Sequence, residues 1–277
     1  MNKLPLQTML NGTLVSDISI MDRGFQYGDG LFETLSISKG VVSLWDHHYS
    51  RLEKSCQRLS IAVPDKADLL NNINMLMEGI DTENNKYVVK LMVSRGVSGR
   101  GYAVTDSITP NVVLILSDYP GYPESYGQTG VKTRICDLKL SHQPLLAGMK
   151  HLNRLEQVLA RNEWNSTDIV EGLVCDQNNN VIEGIMSNVF IVDNDKVLTP
   201  KLDQCGVEGV MRRHVLEYLD RKNIETEINN INQEQLFSAS EVFLTNSIIG
   251  IWPVRKIDAR VYSVGPITRL LQDRLVK

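Results

Sequence analysis

The sequence predicts an α+β protein of mostly antiparallel sheets with packed helices, in two domains, 1–118 and 119–277. Three observations carry this. Short runs with strand-like patterning recur with turn signals between them, and two helical stripes interrupt the first set. A break at Asp118-Tyr119-Pro120-Gly121-Tyr122-Pro123 then separates two such sets. At 277 residues, each half is long enough to bury a core of its own.

In order, residues 6–20 alternate around Asn11-Gly12, a strong hairpin signal because both positions tolerate a left-handed backbone. Leu31 to Ser38 reads as a strand that turns at Lys39-Gly40 and returns through Val41-Val42-Ser43-Leu44. Asp46 is the expected N-cap of a helix with Tyr49, Leu52, Cys56 and Leu59 on one face. A second helix follows Pro64-Asp65, burying Leu69, Leu70, Ile73 and Leu76. Tyr87 to Ser94 and Val112 to Leu116 are β-rich. Beyond the break, strands are expected at Val131 to Leu138, Ile169 to Cys175, Val181 to Glu183, Ser187 to Val192 and Lys196 to Leu198. Gln177-Asn178-Asn179-Asn180 and Asp193-Asn194-Asp195 supply turns. A helix opens near Gly209, strands follow at Ile224 to Ile228 and Val242 to Leu244, and a last helix starts after Pro266.

Composition narrows the function. Charged residues make up 22% and hydrophobic ones 42%, as in a soluble globular protein, and the net charge of −4 argues against a nucleic-acid partner. Cys56, Cys136, Cys175 and Cys205 are spread without a CxxC pair, which fits reduced thiols better than disulfides or zinc. The five histidines form no HExxH, and no metal is expected. No basic segment followed by a long apolar run opens the chain and no stretch suits a bilayer, so the expected compartment is the cytoplasm, with no membrane partner.

Four features could carry chemistry. Lys150 follows Leu145-Leu146-Ala147-Gly148-Met149; a lysine removed from water loses charge stability and becomes a usable nucleophile and base. Glu183 sits among apolar residues in Val181-Ile182-Glu183-Gly184-Ile185-Met186, where a carboxylate needs a partner, a pyridinium or an arginine. Gly206-Val207-Glu208-Gly209-Val210-Met211 leads into a helix whose first N–H groups could hold a phosphate. Gly28-Asp29-Gly30 precedes a strand, with no GxGxxG opening a helix and no GxxxxGK[ST] anywhere, so it shapes a turn rather than a nucleotide site.

These segments resemble the fold-type IV pyridoxal-phosphate enzymes, the family of branched-chain and D-amino-acid aminotransferases and aminodeoxychorismate lyases. The matching pieces run in the family's order from Asp22-Arg23-Gly24-Phe25-Gln26-Tyr27-Gly28-Asp29-Gly30 to Trp252-Pro253-Val254. Ser94-Arg95-Gly96-Val97-Ser98-Gly99-Arg100-Gly101-Tyr102, Ala147-Gly148-Met149-Lys150-His151-Leu152-Asn153-Arg154-Leu155-Glu156-Gln157 and Pro200-Lys201-Leu202-Asp203-Gln204-Cys205-Gly206-Val207 are most similar to the lyase branch.

The resemblance implies a D-amino-acid-aminotransferase-like fold binding pyridoxal 5′-phosphate at the domain interface, and a homodimer. Lys150, in the larger C-terminal domain, would be the Schiff-base lysine and shuttle protons. Glu183 would bond the pyridine nitrogen. Arg51, the N–H groups of Val210 and Met211, and the Ser247 hydroxyl would hold the phosphate. His48 is a family position expected to play a structural part. Many aminotransferases have glycine and threonine at 246 and 247, where this chain has Asn246 and Ser247. Arg100 corresponds to a substrate-carboxylate ligand of D-amino-acid aminotransferase, whose tyrosine and histidine partners are Phe32 and Tyr102 here. Phe32 donates no hydrogen bond, so that trap is altered. Strand alternation puts Thr34 on the face of Phe32, where its hydroxyl could touch substrate or cofactor. The implied reaction is release of 4-aminobenzoate and pyruvate from 4-amino-4-deoxychorismate for folate synthesis. The alternatives are a D- or branched-chain aminotransferase, or a binding protein that kept the fold.

Overall fold

The structure is a computed structural model that describes residues 5–104, 108–194 and 196–276. The chain clusters into two compact units, Met1–Pro120 with Lys150–Asn153, and Gly121–Met149 with Arg154–Lys277. The expected division at 118 and 119 leaves Lys150 with the second domain, whereas here the run from Lys150 to Asn153 groups with the first unit. Its backbone gives the reason. The Phe32 N–H donates to the Lys150 carbonyl and the Leu152 N–H to the Gly30 carbonyl, both at 2.9 Å, and Leu31 and His151 form an antiparallel bridge. The run is a short added strand of the first sheet.

The first unit contains β1 (Gln7–Leu10), β2 (Thr13–Leu14), α1 (Arg23–Tyr27), β3 (Gly30–Ser38), β4 (Val41–Val42), α2 (Trp45–Leu59), α3 (Lys66–Leu76), β5 (Lys86–Ser94) and β6 (Asn111–Asp118). Its sheet runs β2-β1-β6-β5-β3-β4, antiparallel throughout. Asn11 and Gly12 both have positive φ, as a two-residue hairpin requires. Along β3, Leu31, Glu33, Leu35 and Ile37 are buried on the face carrying α2, while Phe32 and Thr34 lie half-buried on the other. Asp65 caps α3, accepting from the N–H groups of Ala67 and Asp68. Asp46 does not cap α2. Leu44 takes the cap position in a left-handed conformation, and Asp46 lies in the first turn, paired with Lys66 at 2.6 Å. The buried stripe of α2 is accordingly His48, Leu52, Ser55 and Cys56.

The second unit contains α4 (Ser125–Gln128), β7 (Val131–Leu140), α5 (Leu155–Arg161), β8 (Ile169–Asp176), β9 (Asn180–Gly184), β10 (Asn188–Asp193), β11 (Lys196–Pro200), α6 (Val210–Arg221), β12 (Thr226–Asn229), β13 (Ile231–Asn232), α7 (Gln233–Ser238), β14 (Glu241–Asn246), β15 (Gly250–Ile257), β16 (Arg260–Val261) and α8 (Pro266–Leu275). Its sheet runs β12-β11-β10-β14-β15-β7-β8-β9-β13, with β16 beside β15. The pairs β11–β12, β15–β7 and β7–β8 are parallel. The core gathers Leu173, Val189, Ile191, Leu244, Trp252 and Val254. No strand is expected at β15 from the sequence, and a proline is rare in a central strand. It is nevertheless central. Pro253 lies opposite Phe243, and the register shifts between Val254 and Lys256 beside it, where the ladder tolerates a missing donor. Of the expected turn at Asp193-Asn194-Asp195, Asp195 lies outside the described residues.

Candidate active site

In the first unit, the motif residues with carboxylates serve as structural hubs. Asp22 caps α1 by accepting from the Gly24 N–H, and also accepts from Ser94 Oγ (2.6 Å) and Asn111 Nδ2 (2.7 Å). Asp29 accepts from Arg23 Nε and Arg95 Nε, each at 2.8 Å. Burial works to raise the Asp29 pKa, but the two guanidinium groups outweigh it and lower it. Arg23 then reaches Ser98 Oγ (3.2 Å) and the carbonyls of Gly101 (2.9 Å) and Tyr102 (3.3 Å). Gly28, with φ of 65°, ends α1, so Gly28-Asp29-Gly30 does turn the chain into β3. The expected substrate ligands Arg100 and Tyr102 stand exposed on the loop that Arg23 anchors, and the Tyr102 ring lies 5.4 Å from that of Tyr27.

Lys150 is half-buried, and its Nζ sits 4.3 Å from the centroid of the Phe32 ring. Backbone pairing sets this contact: Lys150 is opposite Phe32 across the Leu31–His151 bridge, so the side chains share a face. Thr34 lies on that face, one pleat along.

Arg51 and His48 converge from α2 on Glu33, on the opposite face. Arg51 Nε is 2.8 Å from Glu33 Oε1, its Nη2 also bonds Oε2, and His48 Nδ1 is 2.6 Å from Oε2. Burial works to raise the Glu33 pKa, but the Arg51 charge and the bonds from His48 and Arg51 bring it down to about 2. An ionised carboxylate only accepts, so His48 Nδ1 carries the hydrogen, and burial keeps the ring neutral by lowering its pKa. His48 thus holds Glu33 through Nδ1, while its buried Nε2 meets no hydrogen-bond partner among the described residues.

In the second unit, two side chains pin the loop into α6. The buried Glu183, on β9, accepts the Val207 N–H at 2.8 Å, and Asn188 Nδ2 donates to the Val207 carbonyl at 2.9 Å. The first helical N–H bond of α6 is Arg213 to Gly209, so the N–H groups of Val210 and Met211 precede the internal ladder. No side chain caps this end, and a β-carbon on Gly209 would stand 1.9 Å from Asn188 Oδ1. Asn246 Oδ1 accepts from Ile248 N and Ile249 N, both at 2.8 Å, and its Nδ2 donates to the Met186 carbonyl at 2.9 Å. It thereby fixes the turn that carries Ser247.

Glu171, buried and absent from the sequence reading, organises the turn after Glu183. It accepts from Gly172 N (2.9 Å), Ile185 N (3.2 Å), Met186 N (3.1 Å) and Ser187 Oγ (2.9 Å). Burial nonetheless pushes its pKa up to about 7. Lys90, also absent from it, stands with its Nζ 5.1 Å from the Phe32 ring centroid. Strand periodicity could have found it, since the register puts Lys90 opposite Thr34.

An amino-transferase class IV family model matches residues 30–257. The chain is 36% identical to an aminodeoxychorismate lyase of Vibrio harveyi, over 96% of this chain and 98% of that protein. A putative branched-chain-amino-acid aminotransferase of Methanocaldococcus jannaschii is 30% identical, over 97% and 95%. Among solved structures, a 4-amino-4-deoxychorismate lyase from Pseudomonas aeruginosa is 43% identical with a TM-score of 0.91, over 96% of this chain and 97% of that one. A branched-chain aminotransferase from Escherichia coli, 20% identical with a TM-score of 0.84 over 98% and 92%, shares the fold. With a family model spanning most of its length and relatives matched from end to end, the chain belongs to the amino-transferase class IV family, in its two-unit α+β, fold-type IV architecture.

Proposed function

We propose that this chain is a pyridoxal-phosphate-dependent 4-amino-4-deoxychorismate lyase that forms 4-aminobenzoate and pyruvate. The observation that carries the reading is Lys150 itself, its backbone hydrogen-bonded to β3 and its amine over the hydroxyl-free ring of Phe32. A tyrosine there would suit the carboxylate trap of a D-amino-acid aminotransferase; phenylalanine cannot donate. The end-to-end likeness to the Vibrio harveyi and Pseudomonas aeruginosa lyases supports the same choice.

The residues present fit the cofactor. An uncapped helix start whose cap glycine admits no side chain suits a phosphate, and the buried carboxylate of Glu183 on β9, bonded to the loop before that helix, suits a protonated pyridine nitrogen. Val210 and Met211 would donate N–H groups to the phosphate, joined by Ser247 and by Arg51, whose guanidinium Glu33 orients. Glu183 would hold the ring proton. When bound, pyridoxal phosphate supplies an aldehyde for the substrate amine and a ring that accepts electrons. Lys150 Nζ takes the proton from the substrate carbon bearing nitrogen. After the carbon–oxygen bond to the enolpyruvyl group breaks, Lys150 Nζ returns a proton to the methylene carbon, giving pyruvate. Loss of that carbon-bound proton leaves the six-membered ring aromatic, which drives the elimination. A positioned acid–base group contributes about 10²–10⁴-fold. Arg100 would grip a substrate carboxylate, with Tyr102 and Thr34 lining the substrate.

The deciding experiment incubates the protein with aminodeoxychorismate and follows 4-aminobenzoate. Fast product formation, lost in Lys150→Ala, is expected. Its absence, with fast transamination between D- or branched-chain amino acids and 2-oxoglutarate, would make the protein an aminotransferase. We further place the enzyme in the cytoplasm as a homodimer. Leu155, Val158 and Leu159 on α5 are exposed together, an apolar surface that a second copy would cover. Light scattering that gives a monomer mass would remove the dimer. Among the described residues, no helix is long and apolar enough to cross a membrane.

A further inference from the structure

On the half-buried face of the first sheet, two ammonium groups share one aromatic ring. Lys150 reaches Phe32 from the added strand and Lys90 from β5 on the other side, with Nζ atoms 4.3 and 5.1 Å from the ring centroid. The register makes this a designed arrangement rather than a chance approach of two long side chains. Lys150 is directly across from Phe32, and Lys90 is directly across from Thr34, the next residue on the same face. Lys90 has no carboxylate partner among the described residues, and its hydrogen-bonding atom meets no acceptor there. The residue is exposed, yet protein atoms crowd its ammonium, and desolvation lowers its pKa. An ammonium that has lost part of its water shell and has no carboxylate beside it gains from an incoming anion. The substrate of the proposed reaction brings two carboxylates, one on its ring and one on the enolpyruvyl group, whereas only one, Arg100, has a cation assigned.

We propose that Lys90 is a specificity-determining residue that binds one carboxylate of a dicarboxylate substrate, beside the amine of Lys150. This deepens the lyase reading and takes its substrate from it. The Phe32 ring serves as a shared platform: it offers its π-face to both ammonium groups and no hydrogen bond, so it does not compete for the incoming carboxylate. The arrangement also separates tasks. Lys150 handles protons, and Lys90 selects for the second negative charge that a simple monocarboxylate amino acid lacks.

The test compares wild type, Lys90→Met and Lys90→Arg, each loaded with cofactor. Chorismate, which carries both carboxylates but no amine, is titrated calorimetrically, and the KM and kcat for aminodeoxychorismate are measured separately. Lys90→Met is expected to weaken chorismate binding and raise KM by ten-fold or more, with kcat within about three-fold. The same variant keeps its rate of reaction with D-alanine, a monocarboxylate, and Lys90→Arg restores most of the affinity. Equal chorismate binding by wild type and Lys90→Met, no binding by wild type, or equal loss towards D-alanine overturns the proposal. If wild type forms no 4-aminobenzoate while Lys90→Met still loses chorismate, Lys90 stands as a dicarboxylate ligand and the lyase reading falls.

Discussion

Glu33 in the first unit and Glu171 in the second are equally buried, and the two are held in opposite ways. Glu33 in the first unit faces Arg51 and His48, and its pKa falls to about 2. Glu171 in the second unit faces three backbone N–H groups and the Ser187 hydroxyl, and its pKa rises to about 7. Burial acts on both in the same direction. What differs is the donor set: a formal positive charge compensates the loss of water, whereas four neutral dipoles do so incompletely. Four good hydrogen bonds are not equivalent to one arginine.

The comparison can be broken most forcefully at Arg51. Arg51→Met leaves Glu33 buried without its cation and should cost about 3–5 kcal/mol in urea unfolding of the cofactor-free protein at neutral pH. A loss under about 1 kcal/mol would mean that His48 and the surrounding dipoles suffice, as they must for Glu171. The acid limb comes next. Because the folded pKa of Glu33 is depressed, its contribution is complete above the unfolded value of 4.5 and is lost as pH falls towards about 2, roughly 3 kcal/mol in all. A Glu33→Gln variant should lack that limb in stability measured between pH 5 and 2.

Glu171 carries the opposite sign. Its folded pKa is raised, so between 4.5 and about 7 the folded chain holds a proton that the unfolded chain has released. Stability should therefore fall by roughly 3 kcal/mol across that window as pH rises, and Glu171→Gln should flatten the slope. An unchanged slope in the variant would place the titration elsewhere. The smallest change is Ser187→Ala, which removes one donor to Glu171; it should cost about 1 kcal/mol and move the slope to still higher pH. A shift to lower pH would contradict the role given to the hydroxyl.

Legibility in the sequence divided along similar lines. Features decided by neighbouring residues were readable: the Asn11-Gly12 turn, the Asp65 cap of α3, and the shared face of Phe32 and Thr34. Features decided by partners distant in sequence were not. Asp46 has the chemistry of a cap, but it pairs with the distant Lys66, and a left-handed Leu44 starts the helix two residues earlier. The strand at β15 was not expected, and Pro253 fits its centre because the neighbouring residues absorb the missing donor in a register shift. Among the site residues, Lys150, Glu183 and the start of α6 stood out through local context and family resemblance. Lys90 and Glu171 did not, since their significance rests on what folding brings against them. The ring of Phe32 for one, and the turn at 185–187 for the other, are nearly sixty and about fifteen residues away.

The added strand from Lys150 to Asn153 has a consequence for the order in which the protein is made. A ribosome finishes Pro120 well before it reaches Lys150, so the first unit emerges lacking one of its own strands. Until that strand arrives, the N–H of Phe32 and the carbonyl of Gly30 remain unbonded at the edge of β3, a surface open to pairing with another nascent chain. Completion of the first fold therefore waits on synthesis of the lysine and the residues that directly follow it. The residue that would do the chemistry belongs to the last segment that this sheet needs.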